Sequence, residues 1–185
     1  MKNILVVSGH TDLNNSFANK TILEQLQKDL PQAEFAFLDQ LYPTFQIDRE
    51  AEQQRLVKAD IIVLQFPFFW YGVPSLLSRW IEEVFVRGFS HGETGDKVRG
   101  KKLVVSFTSG AAEEKYQTGG AQNYSIEEFL PPLKQFATLC GMQWCSYIYS
   151  GGLSYLNRND EVKLEQMRNT AIAHAGRLVE YLNTI

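Results

Sequence analysis

Histidine, cysteine and long apolar runs are scarce in this chain. Three histidines are scattered through 185 residues, with no carboxylates paired at ligand spacing, which gives no basis for a metal centre. The two cysteines, Cys140 and Cys145, stand in a C-x4-C spacing that fits neither a CxxC redox pair nor a common zinc knuckle. They are read as ordinary buried thiols. No stretch approaches the ~20 apolar residues of a membrane span. The opening MKNILVVSGH is too short in its apolar run for a signal peptide and has no small-residue cleavage site. A cytoplasmic, reduced protein is the expectation. Excess positive charge is missing too. The net charge of −3 points away from nucleic acid and from an anionic membrane surface. The loop after the first strand lacks GxGxxG and GxxxxGK, which removes the dinucleotide fingerprint and the Walker loop from that position.

What is present is an ordinary globular composition, 44% hydrophobic, in a length that suggests one domain over residues 1–185. Short β-branched or aromatic runs at 4–7, 34–38, 61–64, 103–107 and 144–149 predict five strands. Between them lie helical patterns. One starts near Ser16, capped by Asn14 or Asn15, and ends at Pro31; one starts at Asp48; one follows Pro74. A fourth opens on the capping box Ser125-x-x-Glu128 and runs to about Cys140, and a last long one is capped by Asn159 or Asp160. Five strands alternating with five helices predict an α/β sandwich, a parallel sheet covered on both faces, of Rossmann or flavodoxin-like winding. Ligands of such sheets bind at the carboxyl ends of the strands, which directs attention to the loops after strands one, three and four.

All three loops are unusual. The first, HTDLNNSFAN, places Asn15, Ser16 and Asn19 around a helix N-terminus that can hold a phosphate without a cation. The second is QFPFFWYGVP, in which five of ten residues are aromatic, although Pro67, Gly72 and Pro74 forbid a regular element across it. Aromatics on a loop mark an interface or a ligand groove, and a flat ligand gains by lying on such rings. The prolines and Gly72 are expected to hold this backbone still and let it approach the ligand. The third, TSGAAEEKYQTGGAQ, begins with small residues whose backbone N–H groups could meet a ligand carbonyl. Phosphate at one end, a flat ring at the other and donors on its edge describe a flavin site. Trp80 and His174, at helical spacings, are read as structural.

Three pieces carry a family resemblance: SGHTDLNNSFANK, QFPFFWYGVPSLLSRWIEEVFVRGFSHG and FTSGAAEEKYQTGG. In this order, over residues 4 to 125, the chain resembles the flavodoxin-like NAD(P)H:quinone oxidoreductases. That family includes DT-diaphorase, the bacterial modulator of drug activity and the ancillary oxidoreductase of glutathione-gated potassium efflux. The resemblance implies a flavodoxin-like doubly wound fold with strand order 2-1-3-4-5. It implies a bound flavin, FMN or alternatively FAD, reduced by NADH or NADPH and reoxidised by a quinone or other flat aromatic acceptor. By position, His10, Ser16, Phe17 and Asn19 resemble residues around the flavin phosphates. Pro67, Phe68, Phe69, Trp70 and Tyr71 resemble the segment lining the isoalloxazine ring. Thr108, Ser109 and Gly110 resemble the segment bonding its edge. Tyr116 matches a tyrosine that reaches toward substrate and flavin. Gln122 stands where DT-diaphorase has a histidine, so a Tyr/His proton relay would lack its titrating member. Phe89 is expected beside the aromatic wall. A homodimer is implied, as is, alternatively, a membrane transporter as partner. Electron-carrier flavodoxin, azoreductase and nitroreductase are the other readings the same site allows.

Overall fold

The computed structural model describes residues 2–185. Five parallel strands form one sheet in the order β2-β1-β3-β4-β5. They are β1 (Ile4–Ser8), β2 (Glu34–Phe37), β3 (Ile61–Pro67), β4 (Lys102–Thr108) and β5 (Gln143–Ser150). The order reverses between β1 and β3, which creates the crevice where doubly wound sheets bind ligands. The helices are α1 (Ala18–Asp29), a single turn α2 (Leu38–Leu41), α3 (Arg49–Lys58), α4 (Ser75–Val84), α5 (Pro131–Leu139) and α6 (Glu161–Thr184).

Side-chain alternation divides the core into two layers. Leu5, Val7, Ile62, Leu64, Phe66, Leu103, Val105 and Phe107 pack with Leu76, Leu77 and Trp80 of α4. Ile4, Val6, Ile61, Val63 and Val104 pack with α1 and α6. The second face changes character toward its carboxyl end. Gln65, Ser106 and Thr108 follow Ile61, Val63 and Val104 in the same alternation and are buried there. β5 joins this face through a bulge. Leu103 pairs with Trp144 but Val104 pairs with Ser146, so Cys145 is an extra residue and the phase shifts by one. The shift brings Ser150 opposite Thr108, facing α6.

Several local expectations are corrected. β3 continues through Gln65, Phe66 and Pro67, because Pro67 sits at the last register position, opposite Thr108. Neither Asn14 nor Asn15 caps α1; Leu13–Asn15 form a 3-10 turn, and Ser16 Oγ instead accepts from the Asn19 amide (3.3 Å). The Ser125/Glu128 capping box is present but opens a 3-10 turn, Ile126–Phe129. Pro131 and Pro132 then lack the amides that would continue it, and α5 starts afresh with proline at its first positions. The α2 turn carried no periodic signal. Cys140 is buried, but the bulged Cys145 is only partly so. Burial raises the pKa of both thiols, so neither is an activated thiolate. No helix among the described residues is long and apolar enough to cross a membrane.

Candidate functional site

A cleft of about 930 Å³ opens along the carboxyl ends of β1, β3 and β4. Its floor is made by Thr108, Ser109 and Gly110, and one wall by Pro67, Phe68 and Phe69. His10 and the segment from Ser16 to Thr21 form another side. The first loop is pinned from outside the cleft, where Asp39 of α2 accepts from the Leu13 amide (2.8 Å). His10 is nearly buried and its ring meets Phe69 edge-on at 5.6 Å. Burial lowers its pKa more than Asp39 and Asp12 raise it, so the ring is neutral at pH 7. Its Nδ1 accepts from the Asp12 amide (2.9 Å), which leaves the proton on Nε2 as a free donor.

The N-terminus of α1 faces this space. The first-turn amides of a helix have no partners within it. Among the described residues only that of Asn19 is taken, by Ser16 Oγ. The dipole adds a preference for negative charge. Cations also line the cleft, which the sequence reading did not foresee. They are Lys20, Arg158 and Arg168, the last two from the segment after β5 and from α6. Arg158 lies 3.7 Å over the ring of Tyr155, and Arg168 lies 5.1 Å over that of Phe17. The fifth strand also ends at the carboxyl edge, so the carboxyl-edge rule applied one strand further would have found Leu153, Ser154 and Tyr155.

Five of the sequence-derived residues do not line this cleft: Trp70, Tyr71, Phe89, Tyr116 and Gln122. Phe69 and Gly72 close a tight turn, and its two central residues, Trp70 and Tyr71, have φ of 49° and 65°. That left-handed pair suits glycine or asparagine and costs an aromatic residue roughly 1–2 kcal/mol each. Gly72, by contrast, has no positive φ, and a Cβ there would meet nothing within 4 Å. The loop's conformational demand therefore falls on Trp70 and Tyr71 rather than on its glycine. Trp70 is 95% exposed. Tyr71 stacks on Phe129 at 5.4 Å, and Tyr116 packs among Phe68, Phe129 and Tyr149, so these rings form an aromatic layer behind Phe68. Burial raises the Tyr116 pKa, so it is a neutral phenol. Gln122 is half-buried in the following loop, its amide donating to the Lys115 carbonyl. Phe89 packs against the α4 side of the core.

The donors on the floor differ from expectation as well. The Ser109 amide is used by the Ser150 carbonyl (3.0 Å). Ser109 Oγ donates to the Ala111 carbonyl (2.8 Å) and so accepts from Tyr149 (2.7 Å). The Gly110 amide has no intramolecular partner among the described residues, and a side-chain hydroxyl, Thr108 Oγ1, joins it. No group of three or more metal-ligating side chains is found among the described residues.

A family model described as the flavodoxin-like fold matches residues 2–175. The chain belongs to the flavodoxin-like fold family. This flavodoxin-like protein is 35% identical over 182 residues to the uncharacterized NAD(P)H oxidoreductase YrkL of Bacillus subtilis (strain 168), covering 98% of each chain. General stress protein 14 of Treponema denticola, solved in complex with FMN, superposes with a TM-score of 0.85 at 23% identity, over 97% of this chain and 99% of that one. An NADPH-quinone reductase from P. pentosaceus gives 0.73 at 24% identity, over 92% and 98%. At these identities the two structures speak for the shared flavodoxin-like fold.

Proposed function

We propose that the protein is a flavin-dependent NAD(P)H:quinone oxidoreductase that binds FMN. The observation that carries this reading is one cleft that joins a cationic helix N-terminus to an aromatic wall, with hydrogen-bond donors on its floor. The names of the relatives, NAD(P)H oxidoreductase, FMN complex and NADPH-quinone reductase, point the same way.

The residues present fit FMN. Ser16, the open amides of α1 and the guanidinium groups of Arg158 and Arg168 would hold the phosphate. Pro67, Phe68 and Phe69 would lie against the ring system, and the Gly110 amide and Thr108 hydroxyl would meet acceptors on its edge. FMN, when bound, would supply two-electron relay between a nicotinamide and a quinone. The chain's own part is placement and electrostatics. Fixed donors on the floor stabilise negative charge that develops on a bound ring, at no reorganisation cost when it appears. Phe69 and His10, in edge contact, both line the cleft. Neutral Tyr116, behind Phe68, supports the wall.

The test is NADPH and NADH oxidation with a benzoquinone acceptor, on flavin-stripped protein, with FMN, FAD or riboflavin added back. FMN is expected to restore turnover, and riboflavin, lacking the phosphate, to bind far more weakly. Binding of FMN without turnover would leave an electron carrier or a transporter's ancillary subunit as the better reading.

Trp70 supports the homodimer. An indole 95% exposed on a turn of unfavourable φ would gain from contact outside this chain, and a second copy closing the cleft is the proposed occupant. Trp70→Ala is expected to lower kcat/KM for quinone by about fivefold, roughly 1 kcal/mol of aromatic contact. Sedimentation should show its dimer weakened. Unchanged turnover and unchanged mass would remove Trp70 from the site.

A further inference from the structure

Six side chains buried between the sheet and helices α1 and α6 form an unbroken hydrogen-bond chain that starts at a surface arginine and ends at the cleft. Its members are Ser150, His174, Ser106, Gln65, Asn19 and Thr108, each at most 3% exposed. Arg177 starts it. Its Nη2 donates to Ser150 Oγ at 2.8 Å and to the Tyr149 carbonyl at 2.8 Å.

The arginine fixes the first bond, because guanidinium donates and never accepts. Ser150 Oγ accepts from Arg177, and among the described residues its own proton has no acceptor but His174 Nδ1 (2.9 Å). A neutral imidazole that accepts at Nδ1 carries its proton on Nε2. That proton goes to Ser106 Oγ (2.8 Å), and Ser106 donates onward to Gln65 Oε1 (2.6 Å). Gln65 Nε2 donates to Asn19 Oδ1 (2.9 Å), and Asn19 Nδ2 donates to Thr108 Oγ1 (3.0 Å). Thr108 lines the cleft, and its remaining proton has no acceptor among the described residues. Burial, with the Arg177 charge nearby, holds His174 neutral with a pKa of about 3, so the relay keeps its form across the physiological range.

We propose that Arg177 and His174 are positioning residues that orient this chain so that Thr108 offers the cleft ligand its hydroxyl proton. This rests on the flavin reading. The acceptor would be a ring-edge atom of FMN that gains negative charge on reduction, so the chain favours the reduced cofactor. The mechanism above does not otherwise use Arg177, which lies outside the cleft, or His174, which is wholly buried.

Two measurements test it. The first is 15N NMR of the imidazole nitrogens in flavin-free protein. Wild type is expected to show His174 protonated at Nε2 and bare at Nδ1 from about pH 5 to 8. Arg177→Gln, at an exposed position, lets Ser150 accept or donate, and should give both tautomers. The second is the midpoint potential of bound FMN. Thr108→Val should favour oxidised over reduced FMN by about tenfold, which is about 30 mV for a two-electron couple. Thr108→Ser should stay at the wild-type value. Arg177→Gln should shift the potential the same way, but not in a Thr108→Val background. An equal Arg177→Gln shift in both backgrounds would show only the loss of a surface charge and would overturn the proposal. So would an Nδ1-protonated His174 in protein that binds FMN normally. Failure of wild type to bind FMN would instead overturn the flavin reading and the ligand named here, with the His174 tautomer still reporting on the chain's direction.

Discussion

Between pH 6.5 and pH 4, the folded protein is expected to lose about 3 kcal/mol of stability through His174 alone. The imidazole has an ordinary pKa of 6.5 and one of about 3 in the native state, where burial is the main cause and the Arg177 charge the second. The unfolded chain therefore binds the extra proton first. Stability from the neutral ring is fully present above pH 6.5 and drains as pH falls toward 3. At ~1.4 kcal/mol per pH unit, two and a half units give the figure stated. His10 acts in the same direction, since its pKa is also lowered, so the wild-type curve alone cannot isolate one residue. Urea unfolding of wild type and His174→Gln, at half-unit steps from pH 7 to pH 4, separates them. The glutamine variant keeps a donor and an acceptor but cannot titrate. Its stability should fall more gently, and the gap between the two proteins should shrink with acid. Parallel curves would mean that His174 takes up its proton as readily in the native state as in the unfolded chain.

Trp80→Ala is expected to cost about 4–8 kcal/mol and to leave little native protein. The indole is fully buried on α4, the helix that follows the aromatic loop, and meets Phe85 edge-on at 5.4 Å. Emptying such a site costs about 3–5 kcal/mol. A second cost is polar. Trp80 Nε1 donates to Glu52 Oε2 (2.8 Å), and Glu52 is itself wholly buried, taking a further bond from the Tyr42 hydroxyl (2.7 Å). Removing the indole strips a buried carboxylate of one donor, worth about 1–3 kcal/mol. Trp80→Phe should keep most of the volume and show the polar cost alone. Thermal unfolding of the two variants checks the division. If phenylalanine proves as damaging as alanine, the carboxylate contact outweighs the packing.

The same residues show what could be read from sequence. Trp80 falls on the apolar stripe of its helix, so periodicity alone marked it as core. Strand count and the three ligand loops were legible because β-branched runs and helix punctuation survive in any single chain, whereas the strand order followed only from the family resemblance. The extension of β3 to Pro67 was not, since Pro67 reads as a strand breaker until its register position opposite Thr108 is known. Nor was the turn at Trp70 and Tyr71, where aromatic residues take backbone angles that propensity assigns to glycine. Arg158 and Arg168 were missed because a cation gives no local sign of which cleft it faces. The buried chain was invisible for a stronger reason. Its members come from five distant segments, and only the bulge at Cys145 turns Ser150 toward His174.

The cleft draws on residues from His10 to Arg168, nearly the whole length of the chain. No fragment ending at β4 could assemble it, and no partly folded intermediate would offer all its walls. Ligand capture would then act as a completion check, rewarding only finished molecules. At a hundredfold excess over Kd, a bound ligand would add about 2.7 kcal/mol to the native state and nothing to its precursors.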